Sequence, residues 1–142
     1  MFPSKLRIKR HSFFSRSFCS KVVGELKGEE IGEESVEYDE FKKMDFRIAR
    51  VISAEEIKGS EKLVKVTLSL GKEGERQVLS GIKKHFEPSK LVGRNLLYLS
   101  NLKEKKIGKF GVSKGMILCS LSDEGRVCLV ESEESDEGAK VL

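Results

Sequence analysis

From Phe41 onward the apolar residues fall into short runs, several of them alternating with polar positions, and a period of two predicts strands rather than helices. "FRIARVISA" (46–54) places Phe46, Ile48, Arg50 and Ile52 on one face against Arg47, Ala49 and Val51 on the other. "LVKVTLSL" (63–70) sets Val64, Val66, Leu68 and Leu70 opposite Lys65, Thr67 and Ser69. Further runs follow at "RQVLSG" (76–81), "NLLYLSNL" (95–102), "GMILCSL" (115–121) and "RVCLVE" (126–131). Between the third and fourth, "EPSKLVG" carries Pro88 near its start and Gly93 at its end, the punctuation of a single helical turn. Short strands separated by turn residues predict a small closed barrel, because an open sheet of this size would expose long edges. The expected fold is therefore all-β: a five-stranded OB-fold barrel, a short helix between strands three and four, and additional C-terminal strand material.

Residues ahead of this region read differently. The first 24 contain no acid, six Lys or Arg, five Ser and four Phe. That is the composition of a mitochondrial or plastid transit peptide, with a basic arm that touches nucleic acid as the competing reading. Residues 25–37 are acidic and poor in apolar side chains, and read as a disordered linker. The domain is expected over 38–142.

No run approaches the roughly 18 apolar residues of a membrane span, so the chain reads as soluble with no membrane partner. Its 142 residues allow one domain with a modest core. Cys19, Cys119 and Cys128 lack CxxC spacing and the two histidines, His11 and His85, lack partners for a zinc set. No metal, cofactor or disulfide framework is expected, and a reducing compartment follows. Cys119 and Cys128 sit in apolar runs as small core residues.

Charge changes the picture more than composition does. The net charge is +6 over 1–24, −7 over 25–40, +10 over 41–120 and −5 over 121–142, giving +4 for the chain. A concentrated cationic block flanked by acidic stretches marks a surface for a polyanion, since Lys and Arg on phosphates release counterions. A merely solvated surface is the alternative. Between "NLLYLSNL" and "GMILCSL", the stretch 101–115 gathers Asn101, Lys103, Lys105, Lys106, Lys109 and Lys114 around Ser113, with glycines at 108, 111 and 115. Lysines there supply point charges for phosphates, and an amide and a hydroxyl supply directed hydrogen bonds. The glycines either let backbone approach a ligand or only serve the turn.

The ordered series "FKKMDFR" (41–47), "GSEKL" (59–63), "QVLSGI" (77–82), "LVGR" (91–94), "NLK" (101–103) and "FGVSKGMIL" (110–118) resembles the tRNA-binding domain family. That family includes the C-terminal domain of bacterial methionyl-tRNA synthetases, free-standing dimeric tRNA-binding proteins and the C-terminal modules of eukaryotic synthetase cofactors. The likeness runs from about Phe41 to "GAKV" (138–141) and is greatest to the bacterial methionyl-tRNA synthetase appendage, here without any synthetase catalytic signature. It implies tRNA contact at Ser113 and Met116, and at Asn101 and Lys103 in the family's Asn-Leu-Lys stretch. Met116 as core filler is the rival reading. Two departures stand out: Glu104, where many members have proline, and Gly108, where many have a basic side chain; Lys106 or Lys109 offers compensation.

Other candidates for RNA contact are Lys62, Lys83, Lys84 and Arg47, the last with the alternative of a structural ion pair to Asp45. Aromatic residues are 7% of the chain and Trp is absent. A folded RNA read by shape therefore suits the sequence better than a single strand read by stacking. Neither a nucleophile with its base, nor paired carboxylates, nor a metal set stands out, so no enzyme is expected. The reading is a tRNA-binding module that assists aminoacylation in trans, alongside a methionyl-tRNA synthetase as possible partner; the alternative is a chaperone-like or secretion-related dimer. Val127, Leu129, Val130, Val141 and Leu142 are expected to bury against a second copy, or else to cover their own barrel.

Overall fold

The structure is a computed structural model and describes residues 34–142. The leader over 1–24 and most of the acidic linker lie outside the described residues.

The sheet is built around one long strand. β1 (Phe46–Glu56) pairs antiparallel with β2 (Val64–Ser69) through its second half and with β4 (Asn95–Leu99) through its first. β3 (Glu75–Ser80) pairs with β2, and β7 (Met116–Ile117) with the end of β4, giving the five-stranded order β3-β2-β1-β4-β7. In β2 the period of two holds throughout: Val64, Val66 and Leu68 are buried in the core and Leu70 continues the row just past the strand. The expected alternation fails in β1. Ile48, Ala49 and Val51 are all buried, whereas Arg50 and Ile52 are exposed. A register shift between Val51 and Ser53 breaks the pattern, as a bulge does when one strand serves two partners. Ile48 is buried because the chain's last segment bonds to its backbone, Ala139 O accepting from Ile48 N at 2.9 Å and Gly138 N donating to Ile48 O at 2.7 Å.

Between β3 and β4 stands the expected turn, a 310 helix over Pro88–Lys90 whose following residue, Leu91, is fully buried. The core gathers Ala49, Val51, Val64, Val66, Leu68, Val78, Ile82, Leu91, Leu96, Tyr98 and Ile117. The stretch 101–115 is not an open loop. It forms a hairpin of β5 (Lys105–Ile107) and β6 (Gly111–Ser113). A second hairpin follows, β8 (Cys119–Leu121) with β9 (Val127–Leu129). A short helix, α1 (Tyr38–Lys42), precedes the barrel.

The C-terminal segment completes two edges that the main sheet leaves open. Leu97 N donates to Val130 O and Ser132 N to Asn95 O, extending β9 along β4. Val141 N donates to Phe46 O, laying the final residues along β1. Val127 is buried and Leu129 packs on the core of the same chain.

Candidate nucleic-acid interface

The barrel closes where the hairpin leg 112–115 meets β3. Lys114 N donates to Gln77 O at 2.9 Å, and Gln77 Nε2 donates to Val112 O at 3.2 Å. Ser113, 3% exposed, turns its Oγ inward to accept the Leu79 N–H at 3.0 Å. From below, the fully buried Tyr98 donates its hydroxyl to the Lys114 carbonyl at 2.5 Å. Burial pushes the Tyr98 phenol up to about 12, Arg76 opposing it weakly, so the hydroxyl stays a donor at every physiological pH. Gly115 sits so close to this floor that a Cβ would collide with the Tyr98 hydroxyl and the Leu99 carbonyl. Its φ of 78° is also the left-handed region that glycine reaches without strain. This glycine therefore serves the fold.

The other end of the stretch is held as firmly. Asn101 Oδ1 accepts the Asp45 N–H at 2.9 Å and its Nδ2 donates to the Lys43 carbonyl at 2.6 Å. Both polar ends of Asn101 are thus engaged with the chain between α1 and β1. Met116 is half-buried and pairs with Leu99 across β7 and β4.

The lysines face outward. Among the described residues, no side-chain partner engages the ammonium groups of Lys103 or Lys106, and both residues are exposed. Lys109 Nζ lies 5.7 Å from the centroid of the Phe110 ring, and Lys114 Nζ lies 3.6 Å from Glu104 Oε2. Phe110 in turn leans on the β1–β2 loop: a Cβ added at Gly59 would lie 3.7 Å from its Cε1. That contact brings the hairpin tip beside the second cationic group. There Lys83 N donates to Lys62 O at 3.1 Å, while Lys83 Nζ donates to Ser60 O at 3.0 Å and pairs with Glu56 at 3.5 Å. Lys83 is partly occupied in holding that loop; Lys62 and Lys84 are exposed and carry no side-chain partner among the described residues.

Arg47 lies apart from this rim. Its Nε donates to Asp45 Oδ1 at 2.9 Å and its Nη1 to the Gly138 carbonyl at 3.0 Å, the structural pairing that was the alternative to RNA contact. So the Phe110–Gly59 approach brings the hairpin tip, with Lys109, beside the loop that carries Lys62 and is held by Lys83; Lys84 follows Lys83 in the chain, and Lys106 and Lys103 lie in and before the hairpin's first leg. Asn101 and Ser113 are directed at the protein itself. Tyr98 and Gln77 escape sequence reading, although a tyrosine inside a leucine-rich strand signals a buried hydroxyl in need of an acceptor.

A five-stranded antiparallel barrel with a short helical turn between its third and fourth strands is an OB-fold, here with lysines on its β5–β6 hairpin and β1–β2 loop. The chain belongs to the tRNA-binding domain family: residues 46–140 match the family described as "Putative tRNA binding domain". It is 48% identical over 85 residues to the methionine--tRNA ligase of Dichelobacter nodosus, covering 60% of this chain and 12% of that one. To the methionine--tRNA ligase of Bdellovibrio bacteriovorus it is 41% identical over 106 residues, 75% of this chain and 15% of the other. The chain thus spans only a small part of the length of these ligases. Among solved structures, a MetRS-related protein from Pyrococcus horikoshii superposes with a TM-score of 0.72 at 34% identity, covering 77% of this chain and 99% of that one. The chaperone CsaA of Bacillus anthracis superposes with a TM-score of 0.67, covering 77% of this chain and all of the other (100%); at 24% identity this likeness concerns the fold alone.

Proposed function

We propose that this chain is a non-catalytic module that binds tRNA through phosphate contacts and shape, and that it assists aminoacylation in trans with a methionyl-tRNA synthetase as its partner enzyme. The observation that carries the reading is that Lys103 and Lys106, exposed and without a side-chain partner among the described residues, stand with Lys109 on a hairpin whose second leg is fixed to the barrel. Charges held on a rigid base lose little freedom on meeting a polyanion, and each phosphate neutralised releases a counterion. The similarity to segments of methionine--tRNA ligases supports the choice of RNA and of partner.

Fluorescence-anisotropy titration of tRNA across a salt series tests it. Changing Lys103, Lys106 and Lys109 together to Ala should weaken binding and flatten the plot of log K against log salt by roughly 0.7–0.9 per lost contact. A parent-like slope in the triple variant refutes the lysine site.

Two further parts of the reading concern assembly and address. Two copies of the chain are proposed to pair, building one extended tRNA site. The basic segment 1–24 is proposed as a mitochondrial or plastid transit peptide.

A further inference from the structure

We propose that Ser113 and Tyr98 are positioning residues for RNA binding, which act by fixing the hairpin leg 112–115 to the barrel and never touch the RNA. The inference rests on the tRNA-binding reading and divides its residues into two groups, those that hold the hairpin and those that meet phosphate.

The geometry assigns the first group. Ser113 is 3% exposed and its Oγ already accepts the Leu79 N–H at 3.0 Å. A buried hydroxyl in that arrangement has its remaining donor in a closed environment, and an RNA could reach it only after the leg had lifted away from β3. Tyr98 is 0% exposed, on the interior face of β4, and its hydroxyl donates to the backbone carbonyl of Lys114. Lys114 N is held from the opposite strand by Gln77 O. One peptide segment, 113–115, is therefore gripped by β3 on one side and by β4 beneath. Lys103, Lys106 and Lys109 then emerge from a platform whose position is set by two hydroxyls they never contact. Loss of either hydroxyl leaves a buried N–H or C=O without its partner, which favours detachment of the leg.

Tyr98 makes the inference decisive, because no ligand can reach a side chain that the barrel encloses. Tyr98→Phe keeps the ring and removes only the hydroxyl; Ser113→Ala does the same for the other grip. Both full-length variants would be compared with the parent in tRNA titrations over a salt series, well below their melting temperatures. Amide hydrogen exchange at Leu79 and Lys114 would be read in the free proteins.

Each variant should bind tRNA roughly 5- to 10-fold more weakly, the factor for one buried hydrogen bond, with a salt slope equal to the parent's. Exchange at Leu79 should quicken in Ser113→Ala and at Lys114 in Tyr98→Phe, while circular dichroism stays parent-like. A purely structural role would lower the melting temperature and leave affinity unchanged. Parent-like affinity in Tyr98→Phe beside weakened binding in Ser113→Ala would mean that Ser113 touches the RNA, and would overturn the inference while leaving the lysine site standing. Should Tyr98→Phe fail to fold, Ser113→Ala decides alone through exchange at Lys114, whose N–H it does not touch directly: faster Lys114 exchange with an unchanged slope supports the inference, and parent-like Lys114 exchange with weaker binding overturns it. Absence of any tRNA binding by the parent would overturn the functional reading and this inference together.

Discussion

Asp45 Oδ1 lies 3.3 Å from Lys140 Nζ, joining residues 95 positions apart and binding the start of β1 to the end of the chain. Asp45 is the centre of a small network: Arg47 Nε donates to it at 2.9 Å and Ser100 Oγ at 2.8 Å. Arg47 also reaches the Gly138 carbonyl, so one carboxylate organises β1, the end of β4 and the C-terminal segment. Burial pushes its carboxyl up, but the hydrogen bonds from Arg47, Ser100 and Lys140 outweigh that and hold it below the usual 3.8.

A depressed carboxyl contributes stability that is present above its unfolded value and is lost as pH falls through the folded one. Thermal melts of the parent and of Asp45→Asn should therefore differ by a constant gap from pH 7 to about 5, the parent melting higher. Below pH 3.8 the gap should close. A gap that widens in acid would show that the network does not favour the ionised carboxylate.

The phenol of Tyr98 offers a second titration. With only two tyrosines in the chain, Tyr38→Phe leaves Tyr98 as the single absorbing phenol. Alkaline difference spectra of that variant should show ionisation near 12 rather than 10. Because the folded value is raised, the neutral form is the one the fold favours, and stability from this group is retained up to pH 10 and lost above it. Ionisation near 10 in the folded variant would place the hydroxyl in water and remove the floor beneath Lys114.

Gly115 and Gly108 belong to the same hairpin region, yet substitution should affect them unequally. A Cβ at Gly115 meets the Tyr98 hydroxyl and the Leu99 carbonyl, whereas nothing lies within 4 Å of one at Gly108. Gly108→Ala should cost about 1 kcal/mol in urea unfolding, the strain of a positive φ alone. Gly115→Ala should cost more than about 3 kcal/mol, since steric collision adds to that strain. Equal losses at the two sites would contradict the tight seating of Lys114 and Gly115 on the barrel.

What the sequence makes legible here depends on which physical pattern is local. β2 was readable because both its neighbours lie on one sheet, so Val64, Val66 and Leu68 keep a strict period of two. β1 was not, because it bends between two partners and its open edge at Phe46–Ile48 is taken by the backbone of residues 138–141. The β5–β6 hairpin escaped notice because "KKI" and "GVS" carry no apolar alternation; it is held largely by backbone pairing and by Gln77. The same applies to the acidic C-terminal segment, whose edge pairing with β4 and β1 is made by backbone groups that any side chain would permit. For the site, the charge of the lysines was evident in composition. The bonding of Ser113 and Asn101 to the protein's own backbone was not, since their partners, Leu79 and Lys43, are remote in sequence.

The transit-peptide proposal has a direct outcome. A fluorescent reporter carrying residues 1–24 should enter mitochondria or plastids, because a basic segment without acids follows the membrane potential and the import receptors. A cytosolic reporter would instead direct attention to these residues as an RNA-binding arm, measurable as weaker tRNA affinity when they are deleted.

The proposed pairing of two copies would need exposed apolar surface, and one stretch of it lies on α1 and the start of β1. The rings of Tyr38, Phe41 and Phe46 form a ladder, with centroids 6.4 and 6.1 Å apart. Val141 N bonds to Phe46 O, bringing the end of the chain to the start of β1. Tyr38, Phe41, Met44 and Leu142 are exposed at 70%, 38%, 45% and 94%, an apolar group of the kind that association would cover. Val127 and Leu129, by contrast, are spent on their own barrel, so truncation before them would unfold the domain rather than probe an interface. The better probe is Phe41→Asp with Leu142→Asp, which places charge on the patch and leaves the core intact. Light scattering should give a dimeric mass for the parent at micromolar concentration and a monomeric one for the double variant, with tRNA affinity falling as the second cationic rim is lost. A parent chain that is monomeric under those conditions and still binds tRNA tightly would refute the composite site.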